Sequence, residues 1–166
     1  MSALMAAKLL DCGEIIAVDV QENRLKLAKM LGATHTINPK DVDVEERILE
    51  ITKTGVNYAV DSSGFPEVVT QALNSLSQSG TVATVGGASL GTMAKVDMGK
   101  LLFERTITGV IEGNTIPQLF IPKLIHLFKI GKFPFDKLIQ FYHFDEINSA
   151  VHDMESGKVI KPVIRF

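Results

Sequence analysis

The chain has 166 residues, of which 46% are hydrophobic and 22% are charged, and this composition excludes a largely disordered protein. Its 17 basic and 19 acidic residues are interspersed and give a net charge of −2, which argues against binding to nucleic acid or to an anionic membrane. The single cysteine, Cys12, excludes an internal disulfide framework and predicts a cytoplasmic location.

Up to about residue 112, short apolar runs alternate with amphipathic stretches. The amphipathic stretches predict helices at 2–10, 22–32, 43–53 and 66–77. The apolar runs predict strands at 14–20, 33–38, 57–64, 80–89 and 104–113. Strands that alternate with helices indicate βαβ units, so the predicted fold class is α/β with a doubly wound parallel sheet.

After residue 113 the pattern changes. A helix is predicted between Pro117 and Gly131, followed by an aromatic segment at 139–144, a helix at 145–157 and a final strand at 159–166. We therefore expect a domain over residues 1–112 and a C-terminal helix–strand extension over residues 113–166.

Asp19 is the most informative polar residue, because it ends a predicted buried strand, where an unpaired carboxylate is costly. In nucleotide-binding α/β folds, an acid at this position accepts hydrogen bonds from the adenosine ribose, and its charge repels a 2′-phosphate. The alternatives are a helix N-cap or a surface acid. Arg24 could lie over the same ribose, or it could be a solvated charge on the next helix.

Two further strands end in small residues that let a ligand approach the backbone closely. These ends are "VDSSG" (60–64) and "VGGAS" (85–89). Ligands of open parallel sheets bind beyond the carboxyl ends of the strands, so the three strand ends together predict one nucleotide crevice. The alternative is that both are ordinary turns between a strand and a helix.

No cluster of Cys, His and acidic residues has the spacing of metal ligands, and the four histidines are scattered. Nucleophile and phosphate-loop motifs such as GxSxG and the Walker lysine motif are absent. We therefore predict a nucleotide site, but no catalytic residue and no metal ligand, in this chain.

The order of these motifs resembles the coenzyme-binding domain of the zinc-dependent medium-chain alcohol dehydrogenases, over essentially the whole chain. The similarity is carried by "LAKMLGATHTIN" (27–38), "VDSSG", "GTVATVGG" (80–87) and "INSAVHDMESGKVIKPVIRF" (147–166). The stretches "GVIEG" (109–113) and "GKFPFDKLI" (131–139) are most similar to the aryl- or benzyl-alcohol branch.

The resemblance implies a role for ten residues. Asp19 matches the ribose-binding acid and implies NAD rather than NADP, Arg24 matches a basic residue beside the adenosine, and Ser63 lies on the adenine side. Lys161 falls where many members place an arginine on the pyrophosphate. The residues that match segments along the nicotinamide ribose and carboxamide are Val85, Gly86, Gly87, Val110, Ile111 and Glu112.

The chain also departs from the family pattern, because the first strand, its Gly-rich turn and the zinc-binding catalytic domain are not found in it. The resemblance therefore implies a Rossmann-like sheet that lacks its first, central strand, no activity of the chain alone, and NAD binding that is lost or millimolar. Zinc is expected only in the missing domain.

The missing strand leaves a gap between the strands at 14–19 and 57–62, with unpaired backbone groups along both. We expect rearranged pairing or another chain to close it. We also expect a homodimer through residues 106–112.

Other functions stay open at this stage. They are a fragment of a zinc-free quinone oxidoreductase, a non-catalytic interaction module or relic protein, and a methyltransferase with the same βαβ pattern. Asp19 argues against the first, because quinone oxidoreductases of this superfamily usually bind NADPH.

Overall fold

The structure, a computed structural model, describes residues 1–113 and 115–166, together with the backbone of residue 114. The chain divides into two compact units. Unit one comprises Met1–Asn38 and Pro117–Phe166, and unit two comprises Pro39–Ile116. The domain boundary suggested from the sequence, between residues 112 and 113, stays a prediction.

The N-terminal part of unit one alternates helices with strands. It runs through α1 (Ser2–Leu9), β1 (Ile16–Val18), α2 (Glu22–Leu31) and β2 (His35–Ile37). β1 and β2 pair in parallel, with Ile16 opposite His35. Helix α2 stops at Gly32, whose φ of 115° is a left-handed conformation that glycine adopts without strain. Its buried residues follow helical spacing and are Leu25, Ala28 and Leu31.

The C-terminal part of unit one forms a second parallel pair of strands. Its elements are α6 (Pro117–Lys129), β6 (Ile139–His143), α7 (Ile147–Glu155) and β7 (Lys161–Arg165). Tyr142 of β6, Ala150 of α7 and Val159 are buried together and form its core. The Tyr142 hydroxyl donates a hydrogen bond to Asp153 Oδ2 at 2.9 Å, so the one polar atom of this core side chain is satisfied.

Unit two contains a three-stranded parallel sheet in the order β3-β4-β5. Its elements are α3 (Val44–Thr52), β3 (Val56–Asp61), α4 (Pro66–Asn74), β4 (Leu76–Thr84), α5 (Met98–Leu101) and β5 (Thr106–Gly109). Leu73, Leu76 and Val82 form its buried core, so α4 and the central strand β4 hold the sheet together.

These elements confirm the predicted α/β class with parallel strands and alternating helices. Several boundaries are wrong: the strand predicted at 80–89 is β4 at Leu76–Thr84, and the strand predicted at 104–113 is β5 at Thr106–Gly109. The start of β4 differs because α4 already ends at Asn74. Leu76 pairs with Val56 before the register shifts, and this long-range pairing overrides the local helical spacing.

Among the described residues, β1 pairs only with β2, and β3 pairs only with β4. The structure therefore does not rearrange its strands to fill the expected gap, and closure by another chain stays a prediction. Tyr58 of β3 is 79% exposed, whereas Asp61 at the end of the same strand is buried. Of the described helices, none combines the length and apolar character that crossing a membrane requires.

Candidate functional site

The carboxyl end of β1 carries Asp19, whose Oδ1 accepts a hydrogen bond from the backbone N–H of Gln21 at 2.9 Å. Its Oδ2 lies 3.8 Å from Nη1 of Arg24, and 25% of its side chain is exposed. Gln21, rather than Asp19, is the N-cap of α2, so Asp19 is not committed to capping that helix. The carboxylate is therefore anchored by the turn and still has accepting capacity that faces solvent.

Arg24 lies beside this carboxylate and has unused hydrogen-bonding capacity. Its Nε is buried and has no hydrogen-bond partner among the described residues, which is unusual for a buried polar atom. Burial lowers the pKa of the Met1 amino group, and the Asp19 carboxylate opposes that shift. A carboxylate, a guanidinium and a helix start are groups suited to a ribose and its phosphate.

The turn that holds Asp19 is fastened to the end of α7. The side-chain amide of Asn23 donates a hydrogen bond to the Gly157 carbonyl oxygen at 2.9 Å. A Cβ on Gly157 would lie 3.0 Å from Gln21 Nε2, so the Gln21 side chain packs directly on this glycine. Lys161, the exposed first residue of β7, follows four residues later.

In unit two, three neighbouring strands end at the same level of the sheet. Asp61 of β3 pairs in register with Thr84 of β4, and Thr84 pairs with Gly109 of β5. The turns that follow these strands therefore leave one edge of the sheet together. They contain Ser63, Val85, Gly86, Gly87, Val110, Ile111 and Glu112.

Asp61 holds the first of these turns, although its residue is only 3% exposed. Its Oδ1 accepts hydrogen bonds from the Ser63 backbone N–H at 2.9 Å and from the Ser63 hydroxyl at 2.6 Å. Its Oδ2 accepts one from the Gly64 N–H at 3.2 Å. The turn that contains Ser63 is thus shaped by a buried carboxylate.

The second and third turns are fixed by backbone hydrogen bonds. The N–H groups of Val85 and Gly86 donate to the Asp61 carbonyl oxygen at 2.8 and 3.1 Å, and the Val110 N–H donates to Thr84 at 3.0 Å. A Cβ on Gly87 would meet nothing within 4 Å, so space lies open beside its backbone. Ligands of open parallel sheets bind beyond the carboxyl ends of the strands, which is where this backbone lies.

The candidate residues thus form two groups, one in each unit. Asp19 and Arg24 lie together in unit one, where Lys161 also lies, and the other seven lie at one sheet edge in unit two. Four supporting residues were missed: Gln21, Asn23, Asp61 and Gly157. Only Asp61 had a sequence signal, because an Asp before Ser-Ser-Gly favours a side-chain-stabilised turn.

No group of three or more His, Cys or acidic side chains is placed to hold a metal ion in the part of the chain that the structure describes. The one close His–acid pair there joins His35 Nδ1 to Glu14 Oε2 at 3.0 Å, and both side chains are substantially exposed. The residues present therefore do not fit a zinc site.

Parallel strands that alternate with helices, with an acid after one strand and small residues after others, are typical of nucleotide-binding α/β domains. The family profile described as zinc-binding dehydrogenase matches residues 1–129, and the chain belongs to that family. The resemblance noted in the sequence is thereby confirmed.

Relatives of known structure extend this comparison. Benzyl alcohol dehydrogenase from Acinetobacter calcoaceticus is 50% identical with a TM-score of 0.96, over 99% of this chain and 46% of its own. An alcohol dehydrogenase zinc-binding domain protein from Burkholderia ambifaria is 47% identical with a TM-score of 0.96, over 99% of this chain and 45% of its own. These matches confirm the Rossmann-like fold.

Among curated proteins, geraniol dehydrogenase from Castellaniella defragrans is 34% identical over 100% of this chain and 45% of its own length. The chain therefore spans less than half the length of these relatives.

Proposed function

We propose that this chain provides the coenzyme-binding part of an NAD-dependent alcohol dehydrogenase. In the whole enzyme, hydride would pass between an alcohol carbon and the nicotinamide of NAD. The similarity to benzyl alcohol dehydrogenase supports an aromatic alcohol as the substrate. The observation that carries the proposal is Asp19, anchored at the end of β1 beside Arg24 with accepting capacity left for a ligand.

The proposed assignment of residues follows from the chemistry of the two groups. Asp19 would accept hydrogen bonds from the adenosine ribose, and Arg24 would lie beside the adenosine. Lys161 would face the pyrophosphate, and Ser63 would lie on the adenine side. The nicotinamide half would contact the backbone of Val85, Gly86, Gly87, Val110, Ile111 and Glu112. Zinc would be held by residues outside this chain.

Self-association is a further part of the proposal. β5 is the edge strand of its sheet, and each of its residues is exposed, so its free edge is available for pairing. We therefore propose a homodimer through residues 106–112. A second chain could also pair with the free edges of β1 and β3. The cytoplasmic location stays a prediction.

The decisive experiment compares two mononucleotides, AMP and 2′,5′-ADP. Both contain adenosine 5′-phosphate, and they differ only in the 2′-phosphate of 2′,5′-ADP, which Asp19 should repel. Their affinities are measured by nitrogen-15 NMR titration of the full chain. We expect AMP to shift the amide signals of residues 19–24 and to bind more tightly than 2′,5′-ADP. Asp19→Asn should weaken AMP binding about tenfold, because a hydrogen bond to a charged group is lost. It should also reduce the ratio of the AMP affinity to the 2′,5′-ADP affinity.

Asp11→Asn is the matched control, because Asp11 is an exposed acid in the same unit that no part of the proposed site uses. It should leave both affinities unchanged. Equal binding of the two nucleotides by the unmodified chain would overturn the NAD assignment. The quinone oxidoreductase and methyltransferase alternatives are not favoured, because the relatives reported above are alcohol dehydrogenases or zinc-binding dehydrogenases.

A further inference from the structure

Asp61 is a buried carboxylate that the proposed contacts with NAD do not use. Burying a charge is costly unless hydrogen bonds or an opposite charge compensate it. Within the described residues, no lysine, arginine or histidine forms an ion pair with Asp61, and its charge is met by Ser63 and Gly64 alone. The hydrogen bonds of this carboxylate therefore fix the conformation of one turn.

The same residue also fixes the next turn through its main chain. The Asp61 carbonyl oxygen accepts hydrogen bonds from the N–H groups of both Val85 and Gly86. The side chain of Asp61 therefore sets the turn after β3, while its backbone sets the turn after β4. No other residue of unit two is described as bonding to both.

The two turns are in direct backbone contact. A Cβ on Gly64 would collide with the carbonyl oxygen of Gly87, and a Cβ on Gly86 would collide with the backbone nitrogen of Gly64. Backbone atoms packed this closely leave no slack, so a displacement of residues 62–64 must displace residues 85–87 as well.

We propose that Asp61 is the positioning residue for the turn at 85–87. By setting the turn at 62–64, which packs on it, Asp61 holds the main-chain groups of Val85, Gly86 and Gly87 where they can bind a nicotinamide ribose and carboxamide. This inference rests on the proposed function, since it takes the ligand of the turn from it. Asp61 itself touches no ligand.

The test is Asp61→Asn, which keeps the size of the side chain. The amide oxygen still accepts from Ser63, but an NH₂ group now faces the Gly64 N–H, so two donors oppose each other and the turn must move. The ladder hydrogen bonds of β3 and β4 are unaffected, which preserves the sheet. Asp43→Asn is the control, because Asp43 caps α3 in the same unit by accepting from Glu46 N–H at 2.9 Å, a role that Asn also fills.

Two readouts are needed: amide hydrogen exchange without ligand, and nitrogen-15 NMR titrations with nicotinamide mononucleotide and with AMP. Asp61→Asn should speed exchange at Gly64, Val85 and Gly86. It should weaken nicotinamide mononucleotide binding about two- to tenfold, as expected when one hydrogen bond between neutral groups is lost. AMP affinity should fall much less, because Ser63 is its only proposed contact in unit two, whereas Asp19 and Arg24 lie in unit one. Asp43→Asn should change none of these.

The outcomes separate this inference from the proposed function. Unchanged exchange at Val85 and Gly86 overturns the positioning role, whatever the nucleotides do. Parallel losses of affinity for both nucleotides overturn it too, because they indicate a general loss of stability. If exchange rises but the unmodified chain binds no nicotinamide mononucleotide, Asp61 still sets the turn, and it is the proposed ligand that fails.

Discussion

Replacing Gly157 with alanine tests whether the C-terminal part of unit one supports the turn that carries Asp19. Gly157 is buried and has a φ of +76°, a left-handed conformation that costs other residues about 1–2 kcal/mol. The new Cβ would also lie 3.0 Å from Gln21 Nε2 and 3.1 Å from its Cδ, so the Gln21 side chain must move.

The carbonyl oxygen of Gly157 accepts the hydrogen bond from Asn23. If the movement of Gln21 breaks this bond, a further loss of about 0.5–1.5 kcal/mol in the free energy of unfolding is expected. The two contributions together predict a loss of about 2–3 kcal/mol in the free energy of unfolding of unit one.

Gly131→Ala provides the matched control. Gly131 lies in the same unit with a φ of +73°, but a Cβ there would meet nothing within 4 Å. It should therefore carry the backbone strain alone, about 1–2 kcal/mol. The difference between the two variants, about 1 kcal/mol, isolates the contacts of Gly157 with Gln21 and Asn23.

Stability is measured by urea unfolding followed by far-UV circular dichroism, because the chain has no tryptophan to report by fluorescence. Local effects are measured as amide chemical shifts of residues 19–24. We expect Gly157→Ala to move these signals and Gly131→Ala to leave them in place. Equal destabilisation by both variants, with the signals of residues 19–24 unmoved, would refute the idea that the end of α7 supports the ribose turn.

Val82→Ala removes two methyl groups from a fully buried position in β4 and should lower the free energy of unfolding in urea by about 2–3 kcal/mol. Val60→Ala, at a half-exposed position in the same sheet, should lower it by less than about 0.5 kcal/mol. Equal costs would contradict the assigned core. The hydrogen bonds from Lys158 and Tyr142 hold the pKa of Asp153 below its usual 3.8, so the stability that they supply is present above that pH and is lost as the pH falls through the lowered value. Asp153→Asn should reduce stability at neutral pH and remove this acid dependence of the urea midpoint, and an unchanged pH profile would count against the assignment.

The sequence predicts well what depends on local pattern. Alternating apolar runs and amphipathic stretches predicted every strand except β6, which was seen only as an aromatic segment, and every long helix. Asp19 was found because it ends a predicted buried strand. The start of β4 was missed because Leu76 follows the helical spacing of α4, and only its pairing with Val56 takes it into the sheet. Local periodicity carries no information about that partner.

The supports of the site were missed for the same reason. Asn23 and Gly157 are 134 positions apart, and no local sequence pattern in either segment predicts the hydrogen bond between them. Asp61 was visible in "VDSSG" as part of a turn, but its hold on Val85 and Gly86 depends on the register of β3 with β4. Residues that would touch a ligand can be predicted from their chemistry and their place at a strand end. Residues that position them can be identified only from the packing in the structure.

The separation of the candidate residues into two units determines what a binding measurement can test. AMP has all but one of its proposed contacts in unit one, so it reports mainly on the turn of Asp19. Nicotinamide mononucleotide reports mainly on the turns after β4 and β5. Because Gly157 supports the turn of Asp19 and Asp61 supports the turns at 62–64 and 85–87, each within its own unit, Gly157→Ala should weaken mainly AMP binding and Asp61→Asn mainly nicotinamide mononucleotide binding.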